Sequence, residues 1–247
     1  MKILVCVTHV PDTTSKINFT DNNTKFDPTG VQFIIGPYDD YALARAIELK
    51  EAAGAGATVT VLNVGLAETE PTIRKALAIG ADDAIRVNAE PTDSFFVASQ
   101  IVEQAKGAGY DLILMGRESI DYNGGVVHGL VGEMLGIPSV SPVMKLDIEG
   151  GKAKLAREIE GGKETLEVSL PFVAGCQEPI AEWKIPNMRG IMSARTKPLK
   201  VVEPKAVDGG VKLQQFELPP PKGSVKMIAA DDVKTLVTLL KNEAKVL

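Results

Sequence analysis

Roughly the first 140 residues alternate short, β-branched apolar runs with segments in which apolar residues recur at helical spacing. The run at residues 2–7 (KILVCV) is typical of a parallel strand that is covered on both faces. Further strands are predicted at residues 57–64, 84–87 and 111–115, and helices at residues 41–53, 68–79, 94–106 and 125–135. This alternation constrains the fold most, because it predicts an α/β protein with a doubly wound, mostly parallel sheet.

The alternation ends after Pro142. Apolar runs at residues 143–148, 152–159 and 165–170 are separated by the pairs Gly150-Gly151 and Gly161-Gly162, which are typical of hairpin turns. We therefore expect the segment 143–175 to be antiparallel and to extend one edge of the sheet. Residues 1–200 would then form one α/β domain.

The chain that follows Pro179 is punctuated by proline. Prolines stand at positions 186, 198, 204 and 219–221, and a helix is predicted only at residues 230–245. Residues 201–247 are predicted to form an extended C-terminal arm with a terminal helix, because so long a stretch has no core of its own. Such an arm requires a surface that another molecule supplies.

Charge and residue usage exclude several classes of partner. The chain has 27 Lys and Arg against 32 Asp and Glu, a net charge of −5, so its overall field attracts neither nucleic acid nor an anionic membrane. No apolar run approaches the roughly 20 residues of a membrane-spanning helix, and we expect no membrane insertion. Cys6 is interpreted as a core residue and Cys176 as either exposed or buried. Because these two cysteines lie far apart in sequence and no secretory signal is recognised, we expect a reducing, cytoplasmic compartment. With only two histidines, a zinc site is not expected.

The position of a ligand site follows from the predicted topology. In an open α/β sheet, ligands bind beyond the carboxyl ends of the strands, near the point where the strand order reverses. The candidate segments are residues 6–10, 63–65 and 116–127, together with the helix start at residues 36–40. Backbone N–H groups around Gly124 and Gly125, with the guanidinium of Arg117, suit a phosphate. An ordinary turn explains Gly124-Gly125 equally well.

Catalytic patterns are sparse. The chain contains no nucleophile elbow, zinc-protease motif, P-loop or CxxC pair. His9 and His128 lie in predicted loops without an identified carboxylate or nucleophile partner, so we interpret them as surface or hydrogen-bonded residues. Asp40 and Asp121 are the acids for which a ligand contact is considered beside helix capping.

A locally basic segment occupies residues 184–200. It contains five Lys or Arg residues as well as Met188 and Met192, and Trp183 precedes it. Methionine and tryptophan on a mobile segment are adaptable contact residues, which favours a docking loop. A solvated loop with scattered apolar residues is an equal alternative.

Taken together, these segments resemble the β (small) subunit of electron transfer flavoprotein. The matching pieces, in order, are KILVCVTHVPD, GPYDDYALARAIELKE, TIRKALAIGADDAIRV, DLILMGRESID, AREIEGGKETLEVSLP and IPNMRGIMSARTKPL. The resemblance covers about residues 1–200. Its most specific pieces are the TIRKALAIGAD helix, the GRESID loop and the REIEGG hairpin, which are strong in combination.

The resemblance implies a Rossmann-like, adenine-nucleotide-binding fold and a function that one chain cannot perform. In that family the β subunit pairs with a larger α subunit, which supplies most contacts to a redox-active FAD, while the β subunit binds AMP. The heterodimer accepts electrons from flavin dehydrogenases of the acyl-CoA dehydrogenase type, in fatty acid oxidation, and passes them to a downstream acceptor. In one branch a second FAD takes the place of AMP and splits electron pairs. The arm would embrace the α subunit.

The resemblance also implies which residues contact the nucleotide. Cys6 lies where the first strand of the family offers its backbone to adenine, and Gly36 stands where the family usually has Asn. The matching positions are Cys6, Gly36, Pro37, Tyr38, Asp39, Val64, Gly65, Gly116, Arg117, Asp121, Asn123, Gly124, Gly125, Val126 and Val127. Where the family has a polar run at the end of this loop, this chain has Gly125-Val126-Val127. Backbone N–H groups would therefore replace side-chain contacts to phosphate.

A recognition loop for the dehydrogenase is implied at residues 176–195. In the family this loop anchors the heterodimer through a projecting leucine, and Cys176 occupies that position here. The residues carried over are Cys176, Gln177, Glu178, Pro179, Ile185, Pro186, Asn187 and Met188.

Three functions therefore compete. The first is an electron-carrying subunit of a heterodimer that binds AMP, and the second is a subunit of an electron-bifurcating flavoprotein with a second FAD in the AMP place. The third is a stand-alone nucleotide-binding regulatory protein, against which the long arm argues. The electron chemistry belongs to the flavin in the first two, so the chain is not expected to be a catalyst on its own.

Overall fold

The computed structural model describes residues 1–247. The strands are β1 (Lys2–Cys6), β2 (His9–Pro11), β3 (Phe19–Thr20), β4 (Lys25–Phe26), β5 (Phe33–Ile35), β6 (Thr58–Val64), β7 (Asp83–Val87), β8 (Leu112–Gly116), β9 (Ser139–Glu149), β10 (Lys152–Ile159), β11 (Gly162–Ser169), β12 (Phe172–Cys176) and β13 (Leu199–Val202). The helices are α1 (Pro37–Ala53), α2 (Glu70–Ile79), α3 (Ser94–Ala105), α4 (Val127–Leu135), α5 (Met188–Ala194) and α6 (Val233–Asn242). None of these helices combines the length and the apolar character needed to cross a bilayer.

Nine strands form one mixed sheet in the order β11-β10-β9-β12-β8-β1-β6-β7-β13. Strand β1 pairs in parallel with β6 on one side and with β8 on the other, and β7 and β12 continue the parallel pairing outward. Strands β9, β10 and β11 are joined by hairpins and form an antiparallel edge. The prediction of a doubly wound, mostly parallel sheet with an antiparallel addition is confirmed.

Helices cover both faces of the sheet, and β1 shows how the sequence produces this arrangement. Ile3 and Val5 belong to the core that includes α1 and α2, whereas Leu4 and Cys6 belong to the core that includes α3 and α4. Successive side chains of a strand point to opposite faces, so a strand covered on both faces has to be apolar throughout.

Two parallel strands were not predicted. Strand β12 lies between β8 and β9, so the segment 143–175 is not wholly antiparallel as expected. Strand β13 pairs with β7 and closes the opposite edge, so the arm begins after Val202. Both strands are short and follow a proline closely, and this proline punctuation masked their strand pattern.

Helix starts differ from the prediction for local reasons. Helix α1 begins at Pro37 rather than at residue 41, because Pro is favoured in the first turn and Asp39 and Asp40 add acidic side chains there. Helix α4 begins at Val127 rather than at residue 125, because Gly125 adopts a φ of +61° that a helix does not accommodate. Helix α5 was not predicted; its N-cap is Asn187, whose side chain accepts a hydrogen bond from the Gly190 N–H.

The arm, residues 203–247, contains one helix, α6, which lies within the predicted range 230–245. No residue of α6 is buried. The large apolar side chains that are exposed on residues 217–247 are Leu218, Val225, Met227, Val233, Leu236, Val237, Val246 and Leu247. This chain therefore leaves the apolar surface of its C-terminal segment uncovered.

Candidate functional site

The strand order places a crevice at the carboxyl ends of β1 and β8. The chain runs from β1 to β6 and β7 on one side and then crosses to β8 on the other, so the strand order reverses between β1 and β8. Ligands of open α/β sheets bind at this point. The predicted segments meet here, because the end of β1, the start of α1 and the loop after β8 are joined through one side chain.

That side chain is Asp39, which is only 3% exposed. Its Oδ2 accepts hydrogen bonds from the Thr8 N–H, at 2.8 Å, and the Thr8 hydroxyl, at 2.6 Å. Its Oδ1 accepts from the Gly116 N–H at 2.7 Å. Burial raises the pKa of Asp39 to about 6, although these three hydrogen bonds oppose the shift. Asp39 thus ties the two strands of the crevice to α1, and both its oxygens are occupied.

Two glycines are required for this arrangement. A Cβ added to Gly116 would lie 2.7 Å from both Oδ1 of Asp39 and Cβ of Tyr38, and 3.1 Å from the Asp39 nitrogen. A Cβ added to Gly36 would overlap the hydroxyl of Thr8 and lie 2.6 Å from Oδ2 of Asp39. Neither residue has a positive φ, so backbone conformation does not require glycine here. Both positions need glycine because neighbouring groups approach too closely for a side chain.

Arg117 lies at the mouth of the crevice and makes three contacts. Its guanidinium lies 4.9 Å from the centroid of the Tyr38 ring. One terminal nitrogen donates to Oε1 of Glu118 at 2.8 Å, and the other donates to Oε1 of Gln177 at 3.1 Å. Glu118 raises the pKa of Arg117. The cation is therefore held in place, but Glu118 compensates part of the charge that a phosphate would meet.

The rest of the loop after β8 offers backbone groups rather than side chains. Oδ1 of Asp121 accepts from the Ser119 hydroxyl at 2.5 Å and from the Tyr122 N–H at 2.9 Å, which is a local loop-capping role. Asn123 has a φ of +50°. Val126 stands at the N-cap of α4 and provides no side-chain cap, so the first N–H groups of α4 have no acceptor from that residue.

The loop after β6 carries Val64 and Gly65 and is held by two residues that the sequence analysis missed. The Asn63 side chain donates to the Val7 carbonyl at 2.9 Å. The Arg86 guanidinium donates to the Gly65 carbonyl at 3.1 Å and lies 3.3 Å from Glu70. Sequence reasoning could have identified both residues, because Asn63 and Arg86 are polar residues within apolar strand patterns. A buried polar side chain needs a hydrogen-bond partner, so such a residue is a candidate for holding a neighbouring loop.

Four buried side-chain atoms have no hydrogen-bond partner. They are Oδ1 of Asp40, Oδ1 of Asn63, Nε of Arg86 and Nε of Arg117. Asn63, Arg86 and Arg117 stand at or just beyond the carboxyl ends of β6, β7 and β8, and Asp40 lies in the first turn of α1. Burial raises the pKa of Asp40 to about 6, and Lys75 opposes that shift.

The cysteines and histidines do not form a catalytic group. Cys6 and Cys176 are free and buried, and burial raises the pKa of both thiols, that of Cys176 to about 12. Nδ1 of His9 lies 2.8 Å from the Thr72 hydroxyl, and the His9 ring stacks on Phe33. Burial lowers the pKa of both His9 and His128.

The predicted recognition segment divides into a buried and an exposed part. Cys176 is fully buried at the end of β12, so this chain does not present it on the surface as the projecting leucine of the family would be. Gln177 is also buried and donates to Glu158 at 2.9 Å. Glu178 and Pro179 are exposed.

The exposed apolar part of the segment lies further along the chain, around α5. Ile185 is 76% exposed and Met188 is 74% exposed. Trp183, Ile191 and Met192 are also exposed, whereas Pro186 is half-buried and Asn187 caps α5.

Helix α5 is fixed to α2 by two long side chains. Arg74 of α2 donates to the carbonyl oxygens of Ala194 and Lys197, both at 2.8 Å. Lys197 in turn donates to the Leu77 and Ala81 carbonyl oxygens, at 2.8 and 2.6 Å. Each cation binds carbonyl groups at the C-terminal end of the other helix, where a positive charge is favoured.

Comparison with known proteins supplies the family. A family model described as "Electron transfer flavoprotein domain" matches residues 24–207. "Electron transfer flavoprotein subunit beta" of Syntrophomonas wolfei is 37% identical over 250 residues, which covers 100% of this chain and 98% of that protein. The protein of the same name from Bacillus subtilis is 35% identical over 261 residues, with 100% of both chains covered. This chain belongs to the electron transfer flavoprotein family, among its β subunits.

Proposed function

We propose that this chain is the small subunit of a heterodimeric electron transfer flavoprotein. With a larger α subunit it carries electrons from flavin dehydrogenases, of the acyl-CoA dehydrogenase type, to a downstream acceptor in the cytoplasm. FAD, held mainly by the α subunit, supplies the electron chemistry when bound. Membership of the β-subunit family supports this proposal, and so does the uncovered apolar surface of the arm, which a partner chain would cover.

The crevice between β1 and β8 is proposed to bind AMP. The supporting observation is that two unpartnered buried polar atoms, Oδ1 of Asn63 and Nε of Arg117, belong to residues at the carboxyl ends of β6 and β8, the strands on either side of β1. Buried polar side-chain atoms are nearly always paired with protein or ordered water, so unpartnered atoms at these strand ends favour a polar ligand. The backbone at Cys6 and the Asn63 amide oxygen would face the adenine. The first N–H groups of α4 and the Arg117 guanidinium would face the phosphate.

The nucleotide content of the purified heterodimer tests this function. We expect one FAD and one AMP per heterodimer, measured by acid extraction and chromatography of the released nucleotides. Two FAD per heterodimer would contradict the AMP proposal and support the bifurcating alternative. A chain that purifies as a stable monomer or homodimer, without any α subunit, would support the stand-alone regulatory protein instead.

Replacement of Arg117 tests the phosphate contact. We expect Arg117→Ala to reduce the AMP retained through gel filtration by at least about tenfold, because a hydrogen-bonded charge pair contributes roughly 1.5–3 kcal/mol. Arg157→Ala is the matched control. Arg157 is similarly exposed and pairs with Glu164 at 2.6 Å, but it lies on β10, away from the crevice. Equal AMP content in the two variants would rule out the role of Arg117.

The dehydrogenase is proposed to dock on the exposed part of the recognition segment. This surface comprises Glu178, Pro179, Ile185, Pro186, Asn187 and Met188, and extends to Met192 on α5. Exposed methionine and isoleucine provide adaptable apolar contacts, and Arg189 and Arg195 add positive charge that favours an acidic partner. Cys176 and Gln177 are buried, so they are not proposed to contact the dehydrogenase directly.

A further inference from the structure

The first half of the arm is attached to this chain, beginning at Gln100. Gln100 lies on α3 and is 1% exposed. Its side-chain nitrogen donates to the Lys205 carbonyl at 3.0 Å, and its side-chain oxygen accepts from the Lys205 N–H at 2.8 Å. One buried amide thus satisfies both backbone groups of one arm residue, as a neighbouring strand would.

A second attachment lies at Asp93, the N-cap of α3. Oδ1 of Asp93 accepts from the Phe96 N–H at 2.7 Å, while Oδ2 accepts from the Val211 N–H at 2.9 Å. These hydrogen bonds lower the pKa of Asp93. A Cβ added to Gly209 would lie 2.9 Å from Oδ2, so the close approach of the arm requires glycine there.

The third attachment uses the small hairpin formed by β3 and β4. The Phe216 N–H donates to the Asn23 carbonyl at 2.7 Å. The Phe216 ring stacks on Phe19, with centroids 4.5 Å apart and planes 2° from parallel. The hairpin that follows β2 therefore provides a contact surface for the arm.

Beyond Phe216 these attachments end. The hydrogen bonds and the ion pair of residues 217–247 join groups within that segment, such as Lys226 with Glu243 at 2.8 Å. This segment carries the uncovered apolar side chains, including those of α6. Residues 203–216 are therefore attached to the rest of the chain, whereas the hydrogen bonds and ion pair of residues 217–247 are all internal to that segment.

We propose that residues 203–216 are a tether with Gln100 as its positioning residue. The tether fixes the start of the docking element, which is the segment 217–247 that the α subunit covers in the proposed function. This inference rests on the proposed function, which supplies the α subunit. The attachments at residues 205, 211 and 216 together limit where the docking element leaves the β subunit. They thereby reduce the conformational entropy that the docking element loses on binding. Tight pairing of the subunits then depends on a residue that need not touch the α subunit.

Replacing Gln100 in the full heterodimer tests the tether. Gln100→Met keeps the volume of the side chain and removes both hydrogen bonds to Lys205. We expect amide hydrogens of residues 205–216 to exchange at least tenfold faster and the subunit dissociation constant to rise about tenfold, which corresponds to 1.4 kcal/mol. Lys205→Ala is the control, because it removes only the exposed ion pair with Glu103 and leaves the backbone bonds to Gln100 in place. The control should change the dissociation constant less than about twofold.

Leu236→Asp separates this inference from the proposed function. Leu236 is exposed on α6, and a charge there should weaken the heterodimer strongly if α6 docks on the α subunit. An unchanged dissociation constant for Leu236→Asp would overturn docking by the arm altogether. A strong effect of Leu236→Asp with no effect of Gln100→Met would overturn the tether alone. So would a Gln100→Met variant that lowers the unfolding temperature without changing subunit affinity, because that result assigns Gln100 a purely structural role.

Discussion

Asp39→Ala is expected to lower the unfolding free energy by about 3 kcal/mol and to abolish retention of AMP. The substitution leaves the N–H groups of Thr8 and Gly116 without the acceptor that they share, and each orphaned buried donor costs roughly 1–3 kcal/mol. It also disconnects the strand ends that flank the crevice. Chemical denaturation and nucleotide extraction measure the two effects.

Asp40→Ala is the matched control for the stability part of this prediction. Asp40 is the next residue of the same helical turn, and burial raises its pKa to about 6 as well. One of its oxygens is buried without a partner. Its removal should therefore cost less than about 1 kcal/mol, because no comparable set of backbone donors loses an acceptor. Equal losses in the two variants would show that the acidic charge, rather than the hydrogen bonds of Asp39, determines stability.

The pH dependence provides a second readout of Asp39. Its pKa is raised from 3.8 to about 6, so the folded chain binds this proton more tightly than the unfolded chain does. The contribution of Asp39 to stability is therefore largest below about pH 4, falls as the pH rises to about 6, and is constant above that. Accordingly, the difference in unfolding free energy between the wild type and Asp39→Ala should be larger at pH 4 than at pH 7.

Gly190→Ala is expected to displace α5 from α2 and to lower the unfolding free energy by about 2 kcal/mol. A Cβ at Gly190 would overlap the backbone carbonyl oxygen of Ala78, which cannot turn aside as a side chain could. The displacement would strain the hydrogen bonds that Arg74 and Lys197 make between the two helices. Faster amide exchange in residues 184–200 and slower reduction by the dehydrogenase are the expected observations.

Gly129→Ala is the control for Gly190→Ala. Gly129 is also a helical glycine, on α4, but nothing lies within 4 Å of the Cβ that the substitution adds. Alanine is favoured over glycine in a helix by roughly 1 kcal/mol, so this variant should be slightly more stable than the wild type. Destabilisation of both variants by the same amount would contradict the close-contact explanation for Gly190.

Features of the fold that depend on near neighbours in the chain were predictable, whereas features that depend on distant residues were not. The central parallel strands and the antiparallel hairpins were predictable, because periodicity and glycine pairs act over a few residues. Strand β12 was not predicted, because Pro171 masked the short apolar run Phe172–Cys176, and its pairing with the distant strands β8 and β9 is what places it in the sheet. The burial of Cys176, which separates it from the exposed recognition surface, follows from the same pairing.

For this protein, the sequence alone determined the layered α/β architecture and the edge of the sheet at which a ligand site belongs. Only the tertiary structure revealed that Asp39, which the resemblance implies as a nucleotide contact, joins Thr8 to Gly116. It likewise revealed the pairing of Gln100 with Lys205, 105 positions away. Local patterns arise from contacts between near neighbours in the chain, whereas a buried polar side chain acquires its role from whichever distant backbone group the fold brings within hydrogen-bonding distance.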